Sequence, residues 1–322
     1  MNIRIGSRGS ALALTQTNNI AQALSDLGHE TKLIIVQTAG DLDQDRCFSE
    51  IGPAGVFVRE IETAILDDEI DLAVHSYKDL PSQGPEGLVV AAIPERLTPE
   101  DCLIMRDDGQ PDRSPSGLKL EIDLGLKKNA VVGTSSERRR ALLRSLRPDL
   151  QIVPIRGNVP TRLAKLHEGQ YDAIVLAAAG LIRLGHQQKA SALNLGRFVN
   201  LRLDPTIFVP APAQGALALQ CREGDRVIDA VAPLHDVSAS GPVRAERELL
   251  RLVDGGCSLP FGAWCRRVDG GDLELMSVLE SDGVLVRKSG RAENPDKLAA
   301  VLWAKLSHTL PETPTDGTSL EA

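Results

Sequence analysis

The sequence predicts an α/β protein of two similar halves followed by a smaller α+β domain. Three observations predict it. Apolar runs of strand length alternate with longer runs of helical period through residues 1–75 and again through residues 130–176, the pattern of parallel-rich sheets with helices packed on them. Beyond Val227 the order changes to a helix, a strand-turn-strand pattern around Asp282-Gly283, and a further helix. The chain's 322 residues also exceed what one core usually organises, so two or three domains are expected.

Each element has a local reason. An apolar run at Ile3 to Ile5 reads as a strand, and Ser10 is placed to cap a helical run from Ala11 to Leu27 that Gly28 closes. A strand from Thr31 to Thr38 follows. After a polar stretch to Gly55 come a helix around Val56 to Asp67 and a strand from Asp71 to His75. The second half has the same alternation, with strand Ala130 to Gly133, helix Glu137 to Leu146, strand Gln151 to Ile155, helix Thr161 to Glu168 and strand Ala173 to Leu176. The third part has a helix near Val243 to Val253, strands within Leu273 to Arg291, and a helix that Pro295 starts and Ser307 ends. Residues 311–322 are polar and rich in Pro and Thr, which predicts a disordered tail.

Composition narrows the function classes. Apolar residues make up 42% but aromatics only 3%, so the cores must be aliphatic and the stacking platforms of single-stranded nucleic-acid binders are lacking. A net charge of -8 repels DNA and anionic membranes at long range. No charged segment followed by an apolar one opens the chain, and the longest strongly apolar stretch, Ala173 to Ile182, is about half of the roughly 20 residues a membrane span needs. A cytoplasmic protein is expected. The five cysteines are odd in number without CxxC spacing, and no two histidines form a metal-type pair, so free thiols and no metal site are expected. No segment reads as a dedicated apolar interface, which favours a monomer.

Three features could carry chemistry. Arginine outnumbers lysine 26 to 10, and Arg138, Arg139, Arg140, Arg144, Arg147, Arg156 and Arg162 fall in one segment. Arginine is suited to gripping flat anionic groups with a planar fork of donors. Arg138 and Arg139 open a helix after Gly133-Thr134-Ser135-Ser136, and Arg4 and Arg8 flank a similar turn ending at Ser10, so two anion-facing turns point to a cleft between the halves. Solvated helix-face arginines are the alternative reading of any one of them. Asp79 follows a strand directly, where α/β proteins gather ligand loops, but it also reads as a turn residue; Lys78 shares both readings. His75 reads as a structural strand-end residue. Cys257 lies in the Gly-rich loop Asp254 to Pro260, exposed enough to react or simply a small apolar residue, and Cys265 nearby keeps the choice of nucleophile open.

The motifs occur in a definite order. They are Arg4 to Ala13 (RIGSRGSALA), the strand and loop Asp71 to Pro81, Gly133 to Arg139 (GTSSERR), Arg156 to Arg162 (RGNVPTR), Tyr171 to Ala177 through Arg183-Leu184-Gly185, Pro210 to Gly215, and Gly255-Gly256-Cys257. Over roughly Ile3 to Ser307 the chain resembles the porphobilinogen deaminase family. That resemblance implies two similar periplasmic-binding-protein-like α/β domains joined by a double chain crossing, with a small α+β C-terminal domain. The implied division is residues 1–99 with 212–227, then 100–211, then 228–310, with the tail at 311–322. It also implies a transferase that joins four porphobilinogen molecules head to tail, with loss of ammonia, on a dipyrromethane cofactor bonded to Cys257, and releases hydroxymethylbilane for tetrapyrrole synthesis.

Carried over by motif, Asp79 is the catalytic carboxylate. Lys78, Ser76, Ser136, Arg138, Arg139 and Arg156 would bind the cofactor, and Arg4, Arg8, Ser10, Arg156, Arg162 and Arg183 the substrate's acetate and propionate groups. The partner is a small molecule, with no nucleic acid and no membrane. The sequence departs from the family pattern at Ala54, where Lys is frequent, at Tyr77 (Met), Pro160 (Gly) and Ala213 (Gly). Two other readings remain at this level: a two-lobed protein that closes on a small anion without turnover, and a relative that holds a pyrrole but no longer elongates it.

Overall fold

The computed structural model describes residues 1–37, 58–106, 124–186, 195–253 and 260–309. The first sheet is formed by β1 (Asn2–Ser7), β2 (Glu30–Ile35), β3 (Leu72–Ser76), β4 (Leu88–Ala92) and β10 (Leu217–Arg222), in the order β2-β1-β3-β10-β4. The second is formed by β5 (Asp101–Arg106), β6 (Val131–Gly133), β7 (Gln151–Val153), β8 (Ala173–Ala177) and β9 (Phe198–Arg202), in the order β7-β6-β8-β5-β9. The two share one plan. Three strands run parallel, and the last two pair antiparallel to their neighbours.

The chain crosses twice between them. It leaves the edge strand β4 of the first sheet to become β5 inside the second, then leaves the edge strand β9 of the second to become β10 inside the first. The first lobe is thus completed by a strand that returns through the second crossing, while the second lobe is one continuous run from β5 to β9. The crossing segments touch: Leu97 N–H donates to Gly215 O at 3.2 Å, and a Cβ on Gly215, whose φ is +89°, would lie 2.5 Å from Leu97 O. Only glycine fits there.

Helices α1 (Ala11–Asp26), α2 (Arg59–Leu66), α3 (Glu137–Leu146), α4 (Val159–His167), α5 (Ala178–His186) and the short α6 (Val227–Val231) belong to the two lobes. Side-chain caps start three of them as their sequences dictate. Ser10 Oγ accepts Ala13 N–H, Ser136 Oγ accepts Arg139 N–H, and Asn158 Oδ1 accepts Thr161 N–H, with Pro160 in the first turn of α4. The third domain is the antiparallel sheet β11 (Phe261–Arg267), β12 (Leu273–Ser281), β13 (Val284–Ala292), covered by α7 (Val237–Val253) and α8 (Pro295–Ser307).

The cores are aliphatic, as the composition requires. Ile3, Ile5, Leu24, Leu72 and Leu219 fill the first lobe; Leu103, Val132, Leu142 and Val175 the second; and Leu249, Leu275 and Leu302 the third domain. Full burial of each is worth about 1.5–3 kcal/mol. Among the elements expected from the sequence, α3 and α8 have the expected limits and the others shift by a few residues. Helix α7 starts at Val237 rather than Val243, because Asp236 Oδ1 accepts Ser238 N–H at 2.7 Å and begins it earlier. The sheets are mixed rather than purely parallel, because they also contain β4, β5, β9 and β10, which local pattern does not announce. The expected tail lies outside the described residues.

Candidate active site

Ligand loops in α/β proteins gather at the carboxyl ends of strands, and here the ends of β1 and β3 in one lobe face α5 and the loop after β7 in the other. Between them is a cavity of about 640 Å³, inside the roughly 300–1,000 Å³ range of small-molecule sites. Arg8 and Ser10 come from the turn after β1, Ser76 from the last position of β3, and Lys78 and Asp79 from the 3-10 turn Tyr77–Asp79 that follows it. From the second lobe come Arg139, Arg156, Arg162 and Arg183. Among the described lining residues there are thus six cations and one carboxylate, Asp79.

Several of the cations are held in place by neutral acceptors. Lys78 Nζ donates to Gln214 Oε1 at 3.2 Å, Arg162 Nε to Gly157 O at 2.7 Å, and Arg183 Nη2 to Gly215 O at 2.8 Å. Burial pushes the Lys78 ammonium down to about 8, although Asp79 works against the shift. Burial and then repulsion from Arg139 and Arg156 push Arg162 down to about 10, and burial alone does the same to Arg183. Depressed cations mark a wall whose positive charge is not fully neutralised from within, which is the condition of an anion site.

One buried carboxylate organises the second lobe's share. Burial would raise Asp101, yet Arg138 and Arg139 outweigh it and hold the group down at about 2. Arg139 Nη2 reaches Asp101 Oδ1 at 2.7 Å and Arg138 Nη1 reaches Oδ2 at 2.8 Å. Gln214 Nε2 donates to the same Oδ1 at 3.0 Å. Gln214 therefore links Lys78 of one lobe to Asp101 of the other. Gln16 on α1 donates to Ser76 Oγ at 2.9 Å and also lines the cavity.

Three expected residues are not on the cavity wall. Arg4 lies at the opposite, amino end of β3, where Asp71 and Asp68 take its guanidinium at 2.6 and 2.7 Å; parallel pairing sets Ile5 beside Leu72, so Arg4 meets the loop before β3 instead of the one after it. Arg138 is one residue from Arg139 on α3, hence about 100° around the helix, and points to Val209 O at 2.7 Å and the Phe208 ring. Ser136 sits at the cap of α3, where its Oγ accepts Arg139 N–H, and does not line the cavity. Cys257 and Ala54 lie outside the described residues. Of the other departures, Tyr77 stacks under Arg247, 4.7 Å from guanidinium to ring centre, and Ala213 takes the left-handed φ of +60° that glycine adopts freely.

Sequence reasoning misses Asp101, Gln214 and Gln16. A carboxylate opening the apolar run Asp101 to Met105 is a signal for the first, and Gln214 sits in the Pro210 to Gly215 motif.

Comparison with known proteins agrees with the motif order. The family model described as "Porphobilinogen deaminase, dipyromethane cofactor binding domain" matches residues 3–230. The porphobilinogen deaminase of Syntrophobacter fumaroxidans is 43% identical over 298 residues, covering 91% of this chain and 89% of that protein, and the one of Bacillus thuringiensis is 41% identical over 301 residues, covering 92% and 91%. Among solved structures, the Bordetella pertussis BvgS VFT2 domain matches with a TM-score of 0.42 at 14% identity, over 76% of this chain and 91% of that one. Family model, relatives and ordered motifs agree: the chain belongs to the porphobilinogen deaminase family.

Proposed function

We propose that this chain condenses four porphobilinogen molecules head to tail, with loss of ammonia, on a dipyrromethane cofactor bonded to Cys257, and releases hydroxymethylbilane. The observation that carries the reading is that, among the described lining residues, one carboxylate, Asp79, faces six cations. The donor set fits the cofactor: a dipyrromethane brings several carboxylates, and Arg139, Arg156 and Lys78 stand where such groups need partners. A hydrogen bond to a charged group contributes roughly 1.5–3 kcal/mol. When bound, the cofactor supplies a pyrrole carbon as the nucleophile of elongation.

The chain's own residues do the rest. Arg8, Arg156, Arg162 and Arg183 hold the acetate and propionate of the incoming ring, with Ser10 and Ser76 as neutral donors. Asp79 accepts hydrogen bonds from pyrrole N–H groups and stabilises the positive charge that develops on the substrate as ammonia departs. It then takes part in moving the protons that deamination and rearomatisation require. The GGC motif shared with the family points to Cys257 as the attachment point; among the described cysteines, burial raises Cys102 to about 12 and Cys221 to about 11, and raises Cys265 as well, so none of these three is a ready thiolate.

The proposed division into residues 1–99 with 212–227, 100–211 and 228–310 follows the strand exchange, except that the rest of α6, to Val231, packs in the first lobe's core; the proposed working form is a cytoplasmic monomer. Among the described residues no helix is long and apolar enough to cross a membrane. The test is porphobilinogen consumption by Asp79→Ala protein. The rate is expected to fall at least about 100-fold with the cofactor still attached; unimpaired turnover would refute the assignment.

A further inference from the structure

The turn that carries Asp79 is gripped from behind by the third domain. Arg247, buried on α7, donates from Nη1 to Leu80 O at 2.9 Å and from Nη2 to Pro81 O, and its guanidinium lies over the Tyr77 ring. These three contacts fall on both sides of Asp79 in the chain. Within the first lobe the same turn is tied by Tyr77 N–H to Ala216 O at 3.0 Å and by Leu80 N–H to Tyr77 O at 3.3 Å. Arg247 does not line the cavity. It cannot touch a substrate there, yet a planar fork with a ring beneath it is a rigid way to fix two carbonyls and an aromatic side chain at once.

The neighbouring residue extends the anchorage. Glu246, fully buried, takes both ends of Arg96 at 2.7 and 3.0 Å and accepts the backbone N–H groups of Ala213 and Cys265 at 2.6 and 2.8 Å. One turn of α7 is therefore joined to both crossing segments, to β11 and to the Asp79 turn. The same helix ends at Val253, just before the segment that holds Cys257.

We propose that Arg247 is a positioning residue for the reaction. Through the Leu80 and Pro81 carbonyls and the Tyr77 ring it sets where the Asp79 carboxylate points, and it ties that direction to the helix leading to the cofactor-bearing segment. The inference rests on the reading of Asp79 given above. Because substrate carboxylates are held by other residues, loss of Arg247 should act on kcat and not on KM.

The experiment measures kcat and KM for porphobilinogen in holoprotein whose cofactor content is verified by intact mass. Arg247→Met is expected to lower kcat by about 10- to 100-fold, the scale of a small misplacement of a reacting group, with KM within about 3-fold. Arg247→Lys, which keeps the charge over the ring and one donor, should recover part of the loss. Tyr77→Leu should lower kcat in the native background and add nothing to Arg247→Met. If Arg247→Met yields no folded holoprotein, Arg247→Lys and Tyr77→Leu carry the same readout. Native kcat in the variants, a KM rise that matches the kcat loss, or fully additive effects would overturn the positioning role while the site's reading stands. Absence of turnover in the unmutated holoprotein would instead remove the reading of the site.

Discussion

At Lys78 stability and function pull in opposite directions. The unfolded chain holds this proton up to about 10.5, whereas burial in the fold releases it at about 8. Below pH 8 the half-buried ammonium opposes folding in full, and the opposition fades as the pH rises from about 8 to 10.5, because only the unfolded state then binds the proton. Lys78→Met is thus predicted to stabilise cofactor-free Cys257→Ser protein at pH 7 by on the order of 2–3 kcal/mol and by much less at pH 10. Urea unfolding at the two pH values checks it. Equal stability of the pair at pH 7 would mean that Asp79 and Gln214 already offset the burial. Lys78 and Asp79 are legible from sequence as loop residues after a strand, and only the resemblance of their motif to the family gives them a role. Arg138 cannot be told from Arg139, since adjacent helix residues look alike in sequence and face different surroundings. Nothing in the local pattern singles out Glu246 and Arg247, because distant segments bury them.

The elements that joining depends on are the two crossings. At Gly215 they pass so closely that an added Cβ would meet Leu97 O and Thr98 O at 2.5 and 2.6 Å, in a backbone conformation with φ of +89°. Gly215→Ala combines a backbone clash with left-handed strain, each costing about 1–3 kcal/mol. A loss of at least about 3 kcal/mol in urea unfolding is predicted, and a loss under about 1 would show that the crossings can separate without harm. These crossings also explain what periodicity does not reveal. β1, α1, β3, α3 and β8 follow one another locally and carry their own caps and turns, so they can be read in order. β10 takes both its neighbours from before the crossings, β5 takes its own from about 70 to 100 residues further along the chain, and β4 and β9 pair only with those two strands. Their register is set by tertiary packing, and the short runs Leu88–Ala92 and Phe198–Arg202 carry no alternation strong enough to announce an edge strand.

Across the whole molecule, charge is sorted. Among the described residues, a chain of net charge -8 gathers six cations around one cavity, while acidic residues such as Asp68 and Asp71 pair away from it, with Arg4 and Arg222. Each added pyrrole brings further carboxylates, so the polarity of the cavity suits a growing polyanion held in place through successive condensations. The proposed chemistry depends on a covalent cofactor at Cys257. Intact mass of the purified protein, beside its Cys257→Ser variant, is the most direct test. An excess equal to two linked pyrroles in the native chain and none in the variant is predicted. A native chain of unmodified mass that gains no pyrroles from porphobilinogen or hydroxymethylbilane would contradict it.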